Sequence, residues 1–131
     1  MGPLAGRLGN RFGNGAVMIA GAFVLAGALS LSLVVAVPAL IASLIGLCVG
    51  FFAIHAAAVG ALNRSLSGER GKANALYTLF YYLGGAAGIA VGGELYARFG
   101  WPGIVGVSVT MTLLPLAAGG VELCAPARRP G

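Results

Sequence analysis

Apolar residues fill this chain in blocks too long for the core of a soluble fold, and polar residues interrupt them at intervals that suit a bilayer. Between Phe12 and Asn63 no side chain carries a formal charge. A hydrocarbon layer of about 30 Å takes roughly 20 helical residues at about 1.5 Å each, so this block holds two crossings and not one. Pro38, in VVAVPAL, marks the break, because proline removes a backbone donor and biases its predecessor away from helix. The pattern predicts spans over 15–37 and 39–62, a third over 75–97 and a fourth over 104–123. Charge, serine and turn residues gather in the remaining pieces: 1–14, the 63–74 loop NRSLSGERGKAN, the 98–103 turn RFGWPG and the 124–131 tail. The expected class is all-α, one polytopic membrane domain over 1–131 with four transmembrane helices.

Composition strengthens that reading. The chain is 59% hydrophobic and 8% charged, with mean hydropathy +0.96, whereas an ordinary soluble domain is about a quarter charged. A surface so poor in charge aggregates in water and suits lipid. The net charge of +5 would raise nucleic acid as a partner in a soluble protein. Here the basic residues stand at the ends of apolar runs, so none is expected. Arg7, Arg11, Arg64, Arg70, Lys72, Arg128 and Arg129 fall on one side and Arg98 on the other. Positive loops stay in the cytoplasm, which predicts cytoplasmic 1–14, 63–74 and 124–131 and a periplasmic 98–103. The first apolar run exceeds the usual core of about 7–15 residues in a secretory signal, so cleavage is not expected.

Few residues offer chemistry. His55 stands alone in the second span, where an ionisable group faces protein or a water-filled cavity and either relays protons, meets substrate or bonds a neighbouring helix. In the third span Gly84, Gly88 and Gly92 recur every four residues with Gly85 and Gly93 alongside, a face that admits close approach of another helix. Tyr81 and Tyr82 lie deep enough in that span to line a cavity, while Tyr77 reads as part of an interfacial aromatic belt. Glu94 and Arg98, four apart, read as a local ion pair in preference to a proton-coupling carboxylate. Ser108, Thr110 and Thr112 can bond back to their own helix, and Pro115 is expected to kink it. Cys48 and Cys124 have no metal or redox spacing. No Walker-type phosphate loop, zinc-protease or serine-hydrolase motif occurs. No enzyme activity, metal or cofactor is therefore expected.

The stretch GPLAGRLGNR, Gly2 to Arg11, resembles the cytoplasmic loop signature of the major facilitator superfamily, commonly G-x-L-A-D-R-x-G-R-K. Gly2, Leu4, Ala5, Arg7, Gly9 and Arg11 match it, and Gly6 takes the place of the usual aspartate. In that superfamily the loop occurs twice because the two halves are repeats, and the loss of the aspartate favours the second copy. The four spans then resemble helices nine to twelve. Gly68 to Gly103, GERGKANALYTLFYYLGGAAGIAVGGELYARFGWPG, is similar to bacterial drug:proton antiporters of the inner membrane.

The resemblance implies the C-terminal part of a secondary transporter that moves a small organic molecule, in proton-coupled multidrug efflux, by alternating access. It implies partners in the bilayer, the N-terminal helices of the same transporter, the substrate and protons, with His55, Tyr81 and Tyr82 on the substrate path. Met1 is then expected to lie inside a longer reading frame. Two alternatives stay open: a self-contained four-helix dimer like the small multidrug transporters, whose embedded glutamate is absent from 15–37, and a non-transporting membrane scaffold or truncated product.

Overall fold

A computed structural model describes residues 13–65, 68 and 70–124. The loop motif from Gly2 to Arg11 and the tail beyond Cys124 lie outside these described residues. Helix α1 runs Asn14–Leu31, α2 Val37–Ser65, α3 Arg70–Met111 and α4 Leu113–Cys124, and no strand occurs among the described residues.

The chain leaves α1 through residues 32–36. Ser32 N–H closes the helix on the carbonyls of Ala28 and Leu29. Pro38 then sits in the first turn of α2, where a helix has no internal use for the missing N–H. The long α3 is two arms, 70–99 and 101–111, because Gly100 adopts φ 65° and ψ −162° and reverses the path. Such a φ strains any side chain. Pro102 follows, and Gly103 is needed because a Cβ there would run into Phe99. The second arm and α4 form one rod, bent at Thr112 one turn before Pro115. There the proline ring collides with the carbonyl four residues back.

The four rods alternate in direction. Trp101 meets Ser32 at one end of α1, whereas Gly119 and Leu123 meet Gly15 at the other. Along α2, Gly46 meets Ala28, Gly50 meets Gly21, and Gly60 meets Asn14. Helix α1 is thus the central rod, flanked by α2 and by the 101–124 rod.

Small residues make these contacts. A Cβ built on Gly15 would lie 2.6 Å from the Gly119 carbonyl oxygen, and one on Gly50 would lie 2.8 Å from that of Gly21. Only Met18, Ala22, Ala28, Ala57 and Val105 among the described apolar residues are buried, while Phe23, Ile41, Phe52, Phe80, Ile89 and Leu114 are exposed. Small residues inside and large apolar ones outside invert a soluble protein's arrangement, as lipid requires. Among the described residues three stretches are long and apolar enough to cross a membrane: Asn14–Leu31, Val37–Asn63 and Gly71–Cys124, the last of 54 residues and folded back at Gly100. The protein is an all-α, multi-pass membrane protein.

Candidate functional site

The first arm of α3 leans on α2 through side chains. Phe51, His55 and Val59 recur every four residues on α2, so they share a face. Asn74, Tyr77, Thr78, Tyr81 and Tyr82 make the facing surface of α3. Together with Phe52 they line an open cavity of about 410 Å³.

His55 is among its lining residues. The Tyr77 hydroxyl lies 3.0 Å from His55 Nδ1. Three rings surround the imidazole: Tyr81 with centroids 5.2 Å apart, Tyr77 at 5.4 Å and Phe51 at 5.9 Å. Phe51 is stacked, with 16° between the planes, and both tyrosines are tilted. Tyr81 also meets Phe51 at 6.2 Å and Tyr82 edge-on at 5.5 Å, so the rings form one continuous patch. Offset and edge contacts of this kind add about 0.5–1.5 kcal/mol a pair to the area they bury.

Polar groups stand at the Asn74 end of the cavity. Asn74 Nδ2 donates to Asn63 Oδ1 at 3.1 Å, and the Thr78 hydroxyl donates to the Asn74 carbonyl at 2.8 Å. Among the described residues no Asp, Glu, Lys or Arg lines the cavity. The arrangement supplies ring faces, hydroxyls and one imidazole.

The structure brings His55, Tyr81 and Tyr82 into this one cavity. Tyr77, read from the sequence as part of an interfacial belt, belongs to it too. The third span's periodicity shows which residues share a face but not which turn of α2 lies level with them. A Tyr one helical turn before Tyr81 was the available signal. Gly84, Gly85, Gly88, Gly92 and Gly93 lie further along the same arm, and a Cβ built on any of them meets no atom within 4 Å among the described residues. Glu94 and Arg98 pair with each other at 2.6 Å on an exposed surface, away from the cavity. Gly2, Leu4, Ala5, Arg7, Gly9 and Arg11 lie outside the described residues.

Comparison with known proteins agrees with this architecture. The family model described as Major Facilitator Superfamily matches residues 1–124. The chain is 33% identical over 113 residues to the uncharacterized MFS-type transporter YybF of Bacillus subtilis (strain 168), covering 85% of this chain and 28% of that protein. It is 31% identical over 70 residues to the inner membrane transport protein YnfM of Escherichia coli (strain K12), covering 53% of this chain and 17% of that protein. The chain therefore spans under a third of the length of the relatives it matches. No solved structure gives a significant match.

Proposed function

This chain belongs to the Major Facilitator Superfamily, and from that premise we propose that it forms the C-terminal part of a proton-coupled transporter that exports a small organic molecule across the bacterial inner membrane. Its spans correspond on this reading to helices nine to twelve. They work with N-terminal helices of the same transporter by rocking about a site near the midplane. The short share of YybF and YnfM that the chain covers supports a role inside a larger assembly over that of a self-contained four-helix dimer. The glycine face of α3, open among the described residues, is where one of those further helices rests. Both ends of the chain lie in the cytoplasm, following the placement of the basic residues.

One observation carries the reading: the chain's single histidine is held by a tyrosine hydroxyl inside an open, ring-lined cavity between two apolar helices. An ionisable group at that depth marks a proton or substrate path. Among the described residues the titratable groups that face it are Tyr77 and Tyr81 of α3. Substrate and proton then compete for one cavity, which is the requirement for exchange.

The test is transport by the intact transporter in inverted membrane vesicles. His55→Ala abolishes the response of transport to an imposed pH gradient. Transport that follows the gradient unchanged in His55→Ala removes His55 from the mechanism. Sidedness is read separately in a Cys48→Ala, Cys124→Ala background. Ser67→Cys reacts with an impermeant maleimide only from the cytoplasm and Arg98→Cys only from the periplasm; equal access for both ends the proposed topology.

A further inference from the structure

We propose that the rings beside His55 are a receptor for positive charge, and that the ligand they take is an ammonium ion covered by carbon, quaternary or tertiary, on an apolar body. The inference names a substrate class for the cavity and so rests on that cavity being the ligand site, as read above.

Ring geometry comes first. Tyr82, Tyr81, Phe51 and Phe52 follow one another with centroids 5.5, 6.2 and 5.5 Å apart, and the planes turn by 76°, 46° and 72° from each to the next. Rings set at such angles make the corners of a box and not a stack. All four line the cavity. Phe51 is 39% exposed, Tyr81 44% and Tyr82 69%, so much of their surface is open to a ligand. Tyr77 adds a fifth ring, tied to the imidazole through its hydroxyl at 3.0 Å. The face of an aromatic ring carries negative potential and its rim positive. A cation within about 6 Å of a ring centroid is drawn to that face, and rings at adjoining corners act on it together.

Chemistry then narrows the cation. The attraction grows where water is excluded, as between two apolar helices. A charge taken from water must be compensated. A primary ammonium brings three N–H donors that need acceptors, and ring faces answer them poorly. A trimethylammonium head brings none, and the methyl groups that cover its charge pack against the same rings. The cavity, at about 410 Å³, falls within the range of about 300–1,000 Å³ usual for small-molecule sites, so an apolar body fits beside the head. The attraction belongs to the rings themselves. A charge elsewhere around the cavity adds to it or subtracts from it, yet acts alike on the chain and on a variant that has lost one ring. The difference between those two isolates the rings.

The experiment uses the 131-residue chain in an uncharged maltoside detergent. The probes are benzyltrimethylammonium and neopentylbenzene, which has the same shape with carbon in place of the charged nitrogen. Equilibrium dialysis against protein-free micelles measures both affinities, and proton NMR follows the methyl signals of the cation, which move upfield over ring faces. Tyr82→Leu removes the most exposed of these rings and leaves the fold intact. It is expected to weaken the cation about fivefold, the equivalent of about 1 kcal/mol, and the neutral probe by less than about twofold. Tyr81→Leu has the same selective effect, and Tyr81→Phe, which keeps the face, holds cation affinity within about twofold. Absent saturable binding of the cation, methyl signals that do not move upfield, equal weakening of the two probes by the leucine variants, or a Tyr81→Phe as damaging as Tyr81→Leu each overturns the proposal. The transport reading fails separately. Ring-dependent binding of the cation together with pH-responsive transport in His55→Ala sinks that reading and leaves this one. A pH response lost in His55→Ala beside equal weakening of the two probes does the reverse.

Discussion

Gly21 and Gly50 lie so close across α1 and α2 that a Cβ on either would meet backbone of the other helix at 3.1 Å or less, whereas Gly84, Gly88 and Gly92 on α3 face open space among the described residues. Both sets belong to apolar helices of similar make-up, and the set on α3 has the more regular spacing. The difference lies in what stands level with them. Helix α1 has a rod on two sides and uses its glycines to bring three backbones together. The first arm of α3 is held from one side only. Its ties include the ring cluster around His55, the asparagine pair and, beyond Gly100, the bond from Trp101 to Ser32. A regular glycine stripe therefore announces that a helix can approach, and the partner's position decides whether one does. The close trio is a fixed frame, and the α3 arm is a wall with a cavity on one side and a bare face on another.

The sharpest way to break that contrast is to put the same side chain into both regions. Gly50→Leu drives a branched side chain into the Gly21 carbonyl and the Leu25 backbone, neither of which can yield without parting α1 from α2. Overpacking of this kind costs about 3 kcal/mol. The expected result is a large fall in the unfolding temperature of the chain in detergent, followed by circular dichroism. Gly88→Leu meets nothing and replaces a poor helix former by a good one. It changes stability by under about 1 kcal/mol and in the stabilising direction. Equal losses from the two would show that α3 is as tightly held as α1.

How much of this was legible beforehand follows the same division. The all-α membrane class is legible from apolar length, since bilayer thickness fixes how many residues a crossing needs. The bend at Thr112 came from Pro115. His55, Tyr81 and Tyr82 stand out in the sequence because polar groups are costly at that depth, and they line one cavity. Tyr77 reads from the sequence as a boundary residue, and its meeting with His55 depends on the register of α3 against α2, which a periodicity within α3 does not carry. That register is set by contacts far apart in sequence, such as Asn63 to Asn74 and Ser32 to Trp101. For the same reason Gly15, Gly21, Gly50 and Gly119 did not stand out. Each is a single glycine in an apolar run, and only the crossing of two helices at that level makes it indispensable.

A smaller effect separates the two ends of the α3 hairpin. Trp101 Nε1 donates to Ser32 Oγ at 3.2 Å, and the Ser32 hydroxyl donates on to the Leu29 carbonyl at 2.6 Å. This short chain of bonds ties the turn after Gly100 to the end of α1. Trp101→Phe keeps most of the ring and removes the donor, and Ser32→Ala removes the acceptor. Each is expected to lower stability by about 1 kcal/mol. Because both act on one bond, the double variant costs scarcely more than either single one. Additive losses in thermal unfolding would mean that the two residues stabilise the turn independently, and the link between the α3 wall and the α1 frame would be lost.

The smallest expected effect tests whether the far end of the α3 wall is as free as its geometry implies. Arg98 Nε donates to Glu94 Oε1 at 2.6 Å, and the two side chains are 68% and 63% exposed. They sit four apart on one helix, so the bond fastens α3 to itself and not to α1 or α2. Exposed pairs in this arrangement contribute about 0.3–0.5 kcal/mol. Glu94→Gln keeps the length and a hydrogen-bonding oxygen, and it removes only the charge. Stability should fall by under about 0.5 kcal/mol, and the emission of the single tryptophan, seven residues on, should stay where it is. A loss several times larger, or a shifted emission, requires the carboxylate to reach beyond its own helix. The wall would then be anchored at its outer end, and the acid would join His55 as a candidate for carrying protons.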